Sequence, residues 1–104
     1  MTDFVRNIEV TASNLADATL AEMRLEDNRI AVKLAAIERI MASGDNALTG
    51  KPHSYSSAEA IVNTDVQYQD YLADMRNAVR ARILARGNYE ASLAAARLQE
   101  DSRV

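Results

Sequence analysis

The chain has no cysteine, which excludes disulfides and any zinc or redox centre built on thiolates. It has no tryptophan and one phenylalanine, and aromatics make up only 5% of its 104 residues. It has one proline, three glycines and one histidine. Sheets draw on aromatic residues and on turns rich in Gly and Pro, and this composition supplies little of these. No run of about 18 apolar residues occurs, so no membrane span is expected. The first ten residues lack the basic start and apolar core of a secretory leader, so a cytoplasmic location is expected. A single histidine gives a transition metal no ligand set.

Apolar residues account for 48% of the chain, enough to fold rather than stay disordered. Alanine and leucine dominate, which favours long helices. The net charge is −3, and ten of the twelve basic residues are arginine. The length suits one small domain.

The first forty residues contain no Gly or Pro. Apolar positions recur at helical spacing through Ile8, Ala12, Leu15, Met23, Ile30, Leu34, Ile37 and Met41. Thr19 and Glu26 fall in the same row. The pattern predicts one helix over about 3–43, capped by Thr2 or Asp3 and stopped by Ser43 and Gly44. A loop over about 44–56 follows, holding the only Pro and His. Ser56 and Glu59 have capping-box spacing, as do Thr64 and Gln67. They predict a short helix over about 57–63 and a long one over about 65–100. The second long helix carries a heptad row through Tyr68, Leu72, Met75, Val79, Arg82, Arg86, Tyr89, Leu93 and Ala96.

Two long helices and one loop predict an all-α antiparallel hairpin. Apolar matching near the turn sets a register: Met41 opposite Tyr68, Ile37 opposite Leu72, Leu34 opposite Met75, Ile30 opposite Val79. Glu26 and Asp27 then face Arg82, and Glu22 and Met23 face Arg86. Charges within a seam cost desolvation, and their pairing penalises slipped registers. One discord remains: the first row averages about 3.67 residues per turn and the second about 3.5, which favour different supercoils. Further apolar rows (Ala18, Ala21, Leu25, Val32, Ala35; and Ala78, Ala81, Leu84, Ala85) exceed what one hairpin covers. A homo-oligomer is expected, such as a dimer forming a four-helix bundle.

Motifs for chemistry are sparse. Gly44 to Lys51 is one residue too long for a phosphate-binding loop, and Pro52 stands where Ser or Thr is needed. His53 lies near Ser54, Ser56 and Ser57, but a loop between helices offers no obvious oxyanion site. Asp70 with Asp74, and Glu22 with Glu26, are helical neighbours without a shielded pocket. No enzyme activity, cofactor, metal or small-molecule substrate is expected. The arginines are more informative. Arg76, Arg80, Arg82, Arg86 and Arg97 share the second helix with Tyr89, and Glu90 is the only acid among them. Arginine beside tyrosine can bind phosphate and stack on bases. The candidate nucleic-acid contacts are Lys51, Arg76, Arg80 and Arg86.

The stretch from Thr49 through Asp65, followed by Tyr68, Arg82, Ala85, Arg86, Tyr89 and Ala91, resembles small, largely uncharacterised helical proteins of bacteriophages and prophages. The likeness covers about residues 49–97, and no catalytic residues come with it. It implies a bacterial host and an accessory role in phage DNA replication or recombination. Two rival classes remain: a purely protein-binding adaptor or chaperone, and a small enzyme centred on His53.

Overall fold

The long apolar periodicities emerge as helix. A computed structural model describes residues 3–102. The fold is an all-α hairpin of long helices. Its elements are α1 (Asp3–Asp27), α2 (Arg29–Ala42), α3 (Tyr55–Ala60), a 3₁₀ turn (Val62–Thr64) and α4 (Val66–Asp101). Of the two expected caps for the first helix, Thr2 lies outside the described residues and Asp3 is already helical.

The single helix expected over 3–43 is interrupted at Asn28. Asparagine competes for its own backbone groups and is a poor helix former. Here the Leu25 carbonyl accepts the Tyr71 hydroxyl at 2.6 Å and the Asn28 N–H at 3.2 Å. A side chain inserted into the helical ladder is a recognised cause of such breaks.

The caps also differ from expectation. Ser54, not Ser56, caps α3, accepting from the Ser57 N–H. Glu59 reaches Lys33 at 3.8 Å instead of its own helix start. Asp65, not Thr64, caps α4, accepting from the Tyr68 N–H at 2.8 Å. The Thr64 hydroxyl is occupied closing the 3₁₀ turn onto the Ile61 carbonyl.

The chain divides into two compact units. One is Leu25–Met75. Among the described residues, all the buried ones lie in it: Ala36, Ile37, Ile40, Ala58, Val62, Tyr68 and Tyr71. Leu25, Val32, Leu72 and Met75 pack against them. Ala36 and Ala58 are fully buried, and α3 lies against α2. Two alanines permit that close approach. The Tyr68 and Tyr71 rings stack with centroids 6.2 Å apart. This core corrects the expected register. Ile30, Leu34 and Met41 were to form the seam, yet Ile30 is 82% exposed and the other two are also exposed. The small residues Ala36 and Ala58 decide which face turns inward.

The loop within this unit is tightly tied. The Asn46 carbonyl accepts from Gly50 and Thr49, its N–H donates to the Lys51 carbonyl, and its side chain accepts from the Leu48 N–H at 2.9 Å. Asp45 and Pro52 form an isolated antiparallel bridge. Gly50 takes φ +67°, the left-handed region that glycine enters without strain.

The other unit joins α1 up to Arg24 with α4 from Arg76 onward. It contains no buried residue among those described. Its half-buried positions on α1 are Phe4, Ile8, Thr11, Ala12, Leu15, Ala18, Thr19 and Glu22, and on α4 Ala78, Val79, Arg82, Ala85, Tyr89, Ser92, Leu93, Ala96 and Gln99. In each set one row steps by alternate threes and fours, and Ala12, Thr19, Val79 and Leu93 widen the half-buried stripe beside it. The row expected on α1 is thus half-buried at Ile8, Ala12, Leu15 and Thr19, and that expected on α4 at Val79, Arg82, Tyr89, Leu93 and Ala96. Much of this seam is Ala, Ser or Thr, and such side chains enclose little.

Candidate functional site

The acid–arginine crossing expected in mid-hairpin exists, with different partners. The Arg82 Nε donates to Glu22, whereas Glu26 and Asp27 were expected to face Arg82 and Glu22 to face Arg86. Thr11 and Ser92 share a hydroxyl hydrogen bond of 3.1 Å further along the same pair of helices. Both contacts shift the register by about five to six residues from the expected one, roughly one and a half helical turns. Glu26 instead holds Arg29 at 3.2 Å on the surface of the other unit, and Asp27 is exposed. Glu22 and Arg82 are both half-buried. They are placed to fix register rather than to meet a ligand.

The remaining α4 arginines face outward. With Ala78, Arg82, Ala85 and Tyr89 turned inward, helix geometry puts Arg76, Arg80, Arg86 and Arg97 on one outer arc. All four are exposed. Among the described residues the ion pairs are Arg29–Glu26, Lys33–Glu59, Arg39–Asp65 and Arg82–Glu22, so none of the four is engaged by an acid. Glu90 lies on the same arc, and Asp101 follows one turn beyond Arg97. From Arg76 to Arg97 is about 32 Å at 1.5 Å per residue, a row of fixed cations on one rigid element. Lys51, the fourth expected contact, is exposed on the loop of the Leu25–Met75 unit. That unit is acidic, with eight Asp and Glu against four Lys and Arg.

The loop cluster around His53 is ordered. Its Nδ1 lies 3.0 Å from the Ser57 hydroxyl, which in turn lies 3.1 Å from the Ser54 carbonyl. The two also line an open depression of about 470 Å³ with Asp45, Leu48 and Ile61. The Ser57 hydroxyl lies between the His53 ring and the Ser54 carbonyl, within hydrogen-bond distance of both. The cluster thus sits on the first turn of α3, where the Ser57 N–H donates to the Ser54 hydroxyl oxygen. Ser56 takes no part in the network.

Sequence reasoning passed over Arg39 and Asp65. Arg39 grips the Asp65 carboxylate with two hydrogen bonds, 3.0 Å from Nε and 2.7 Å from the terminal nitrogen. This bond, with backbone N–H groups of Tyr68 and Gln67, holds the Asp65 carboxyl below the usual carboxylate range. Asp65 thus caps α4 and ties it to α2. The only signal was Asp65 itself, an Asp just before a long periodic run. Tyr71 was also missed. Burial pushes its phenol above the ordinary range, with the Glu26 charge adding to this.

Among the described residues, no group of three or more His, Asp or Glu is gathered as for a metal, and no helix is long and apolar enough to cross a membrane. No family model, curated protein or solved structure matches this chain.

Proposed function

We propose that this chain is a non-enzymatic, oligomeric helical accessory protein of phage or prophage type, which supports DNA replication or recombination by contacting a nucleic-acid backbone. The observation that carries the reading is the outer arc of α4, where Arg76, Arg80, Arg86 and Arg97 stand exposed without an acid partner. A helix surface built only for solvation normally interleaves acids with its bases, and between Arg76 and Arg97 this arc has one, Glu90. Phosphates are the natural ligands for guanidinium groups fixed along one line. Oligomerisation would multiply the arc and raise its avidity, and the thinly packed unit containing it supports that half of the reading. The fitting compartment is the cytoplasm of a bacterial host.

The test is fluorescence anisotropy with single- and double-stranded DNA across a salt series. Binding at low salt that weakens steeply as salt rises, and that weakens again in Arg76→Ala/Arg86→Ala, is the expected result. An oligomeric protein that binds neither DNA at low salt overturns the nucleic-acid role. The protein-binding adaptor then takes its place. One observation favours that second reading: Leu48 is 95% exposed at the tip of a hydrogen-bonded turn, where a partner's pocket could seat it.

A further inference from the structure

Beyond its arginine arc, α4 carries a second regular row on its outer surface. Ala81, Leu84, Asn88, Ala91, Ala95 and Leu98 recur at alternate steps of three and four, and all are exposed. Leu84 is 65% and Leu98 70% exposed. The row is extended by Asn77 and Ser102, so no charge interrupts it over about 38 Å. A solvent-facing helix surface is ordinarily charged. Uncharged spacing of this kind is the pattern of a seam that meets another helix.

Gly87, next to Asn88, is a separate observation at the edge of this face. It sits inside α4 and costs about 1 kcal/mol relative to alanine there. A Cβ added to it would meet nothing within 4 Å. Nothing within the chain therefore requires glycine at this position, whereas a second backbone passing close by would.

We infer that this row is the contact surface for a second copy of the chain, with α4 packed antiparallel to its own counterpart. The inference rests on the oligomeric half of the reading above and names the face and direction. The antiparallel direction follows from size and charge. If Leu84 of one copy faces Ala95 of the other, then Ala81 faces Leu98, Asn88 faces Ala91 and Asn77 faces Ser102. Each leucine then meets an alanine, which keeps the layers evenly thick. Gly87 comes beside Ala94, where both backbones can approach. Arg80 comes beside Asp101, giving two symmetric charge pairs at the rim. Such self-complementarity is what a two-fold contact demands. A parallel pair would set leucine on leucine and alanine on alanine, and would bring Arg80 beside Ala85, with no acid. Arg80 then belongs to the contact between copies, and the phosphate-facing set narrows to Arg76, Arg86 and Arg97.

Because the chain has no cysteine, introduced thiols report the pairing without interference. Leu84→Cys and Ala95→Cys versions of the full chain, distinguished by tag size, are mixed and mildly oxidised. The expected product is the mixed Leu84→Cys/Ala95→Cys dimer, with no dimer from Leu84→Cys alone, because a disulfide forms only when the Cα atoms lie within about 7 Å. Light scattering should give a dimeric mass or a multiple of it, falling to half in Leu84→Glu/Leu98→Glu while helicity by circular dichroism is kept. A Leu84→Cys self-link without the mixed product overturns the antiparallel contact. So does an unchanged mass in the glutamate variant, and so does loss of its helicity without dissociation. A wild-type protein that is already monomeric removes the oligomeric reading as well, so the two failures are distinguishable.

Discussion

Replacing Asp65 with alanine removes two contacts at once: the acceptor for the Tyr68 N–H at 2.8 Å and the paired hydrogen bonds from Arg39. Asp65→Asn separates them. Asparagine caps helices about as well as aspartate, so it keeps the first contact and loses the charge of the second. The difference between the two variants therefore isolates the cap, worth about 1 kcal/mol, or about 4–8 °C in melting temperature for a chain of this size. The difference between wild type and Asp65→Asn isolates the ion pair, which Arg39→Met should remove equally, with no further loss in the double variant. Acid provides an independent check. The folded Asp65 carboxyl lies below its ordinary range because Arg39 and two backbone N–H groups favour its charged form. Its stabilising contribution is therefore complete above the ordinary carboxylate pKa, near 4, and fades as pH falls through the lower folded value. The gap between wild type and Asp65→Asn should narrow along the same path. Thermal unfolding followed by circular dichroism at fixed protein concentration measures all of this. Equal melting temperatures for Asp65→Ala and Asp65→Asn would refute the cap, and a gap that widens in acid would refute the ion pair.

Ile37 is the largest fully buried side chain, and Ile37→Ala should cost about 3 kcal/mol by denaturant unfolding. Tyr71→Phe strips the Leu25 carbonyl of its hydroxyl partner. It should cost about 1 kcal/mol, remove from an absorbance titration the tyrosine held above the ordinary range, and speed amide exchange around Asn28. Arg82→Leu leaves the half-buried Glu22 carboxylate unpaired and should destabilise by about 2 kcal/mol. Adding Glu22→Leu should recover most of that in the same unfolding assay. In the salt series, Arg76→Ala/Arg86→Ala should flatten the log–log slope by about 2, close to 0.9 for each lost phosphate contact.

The helices were legible in the sequence because their signals are local. Forty residues without Gly or Pro, and the heptads after Asp65, need no knowledge of partners. The loop was legible for the same reason, its turn residues being clustered. The register was not, because it depended on which face of α2 turns inward. Ile30, Leu34 and Met41 outweigh Ala36 on any hydrophobicity scale, yet Ala36 is buried since a second alanine, Ala58, can meet it there. The break at Asn28 was hidden for a similar reason. Its cause is a hydroxyl 46 residues away in sequence, and no window centred on Asn28 contains Tyr71. The caps were misplaced by one or two residues because Ser54, Ser56, Ser57, Thr64 and Asp65 are all competent, and only the fold selects among them. In the candidate interface, the arginines were legible as a cluster. Their separation into an inward Arg82 and an outward set depended on the same register, as did the partner of Glu22.

The confinement of every buried residue, among those described, to one unit gives the chain an uneven energy scale. Segments with little enclosed apolar surface open at lower free energy than the rest. The stretches holding the arginine arc and the Leu84–Leu98 row should therefore exchange their amides well before Ala36 or Tyr68 do. Anything that recognises these surfaces recognises only the closed fraction, so its apparent affinity is reduced by the time they spend open. The first ligand to settle, whether a second copy or a strand of nucleic acid, removes part of that reduction for the next. Cooperativity between self-association and nucleic-acid binding can thus arise from thin packing alone, with no change of shape in either surface.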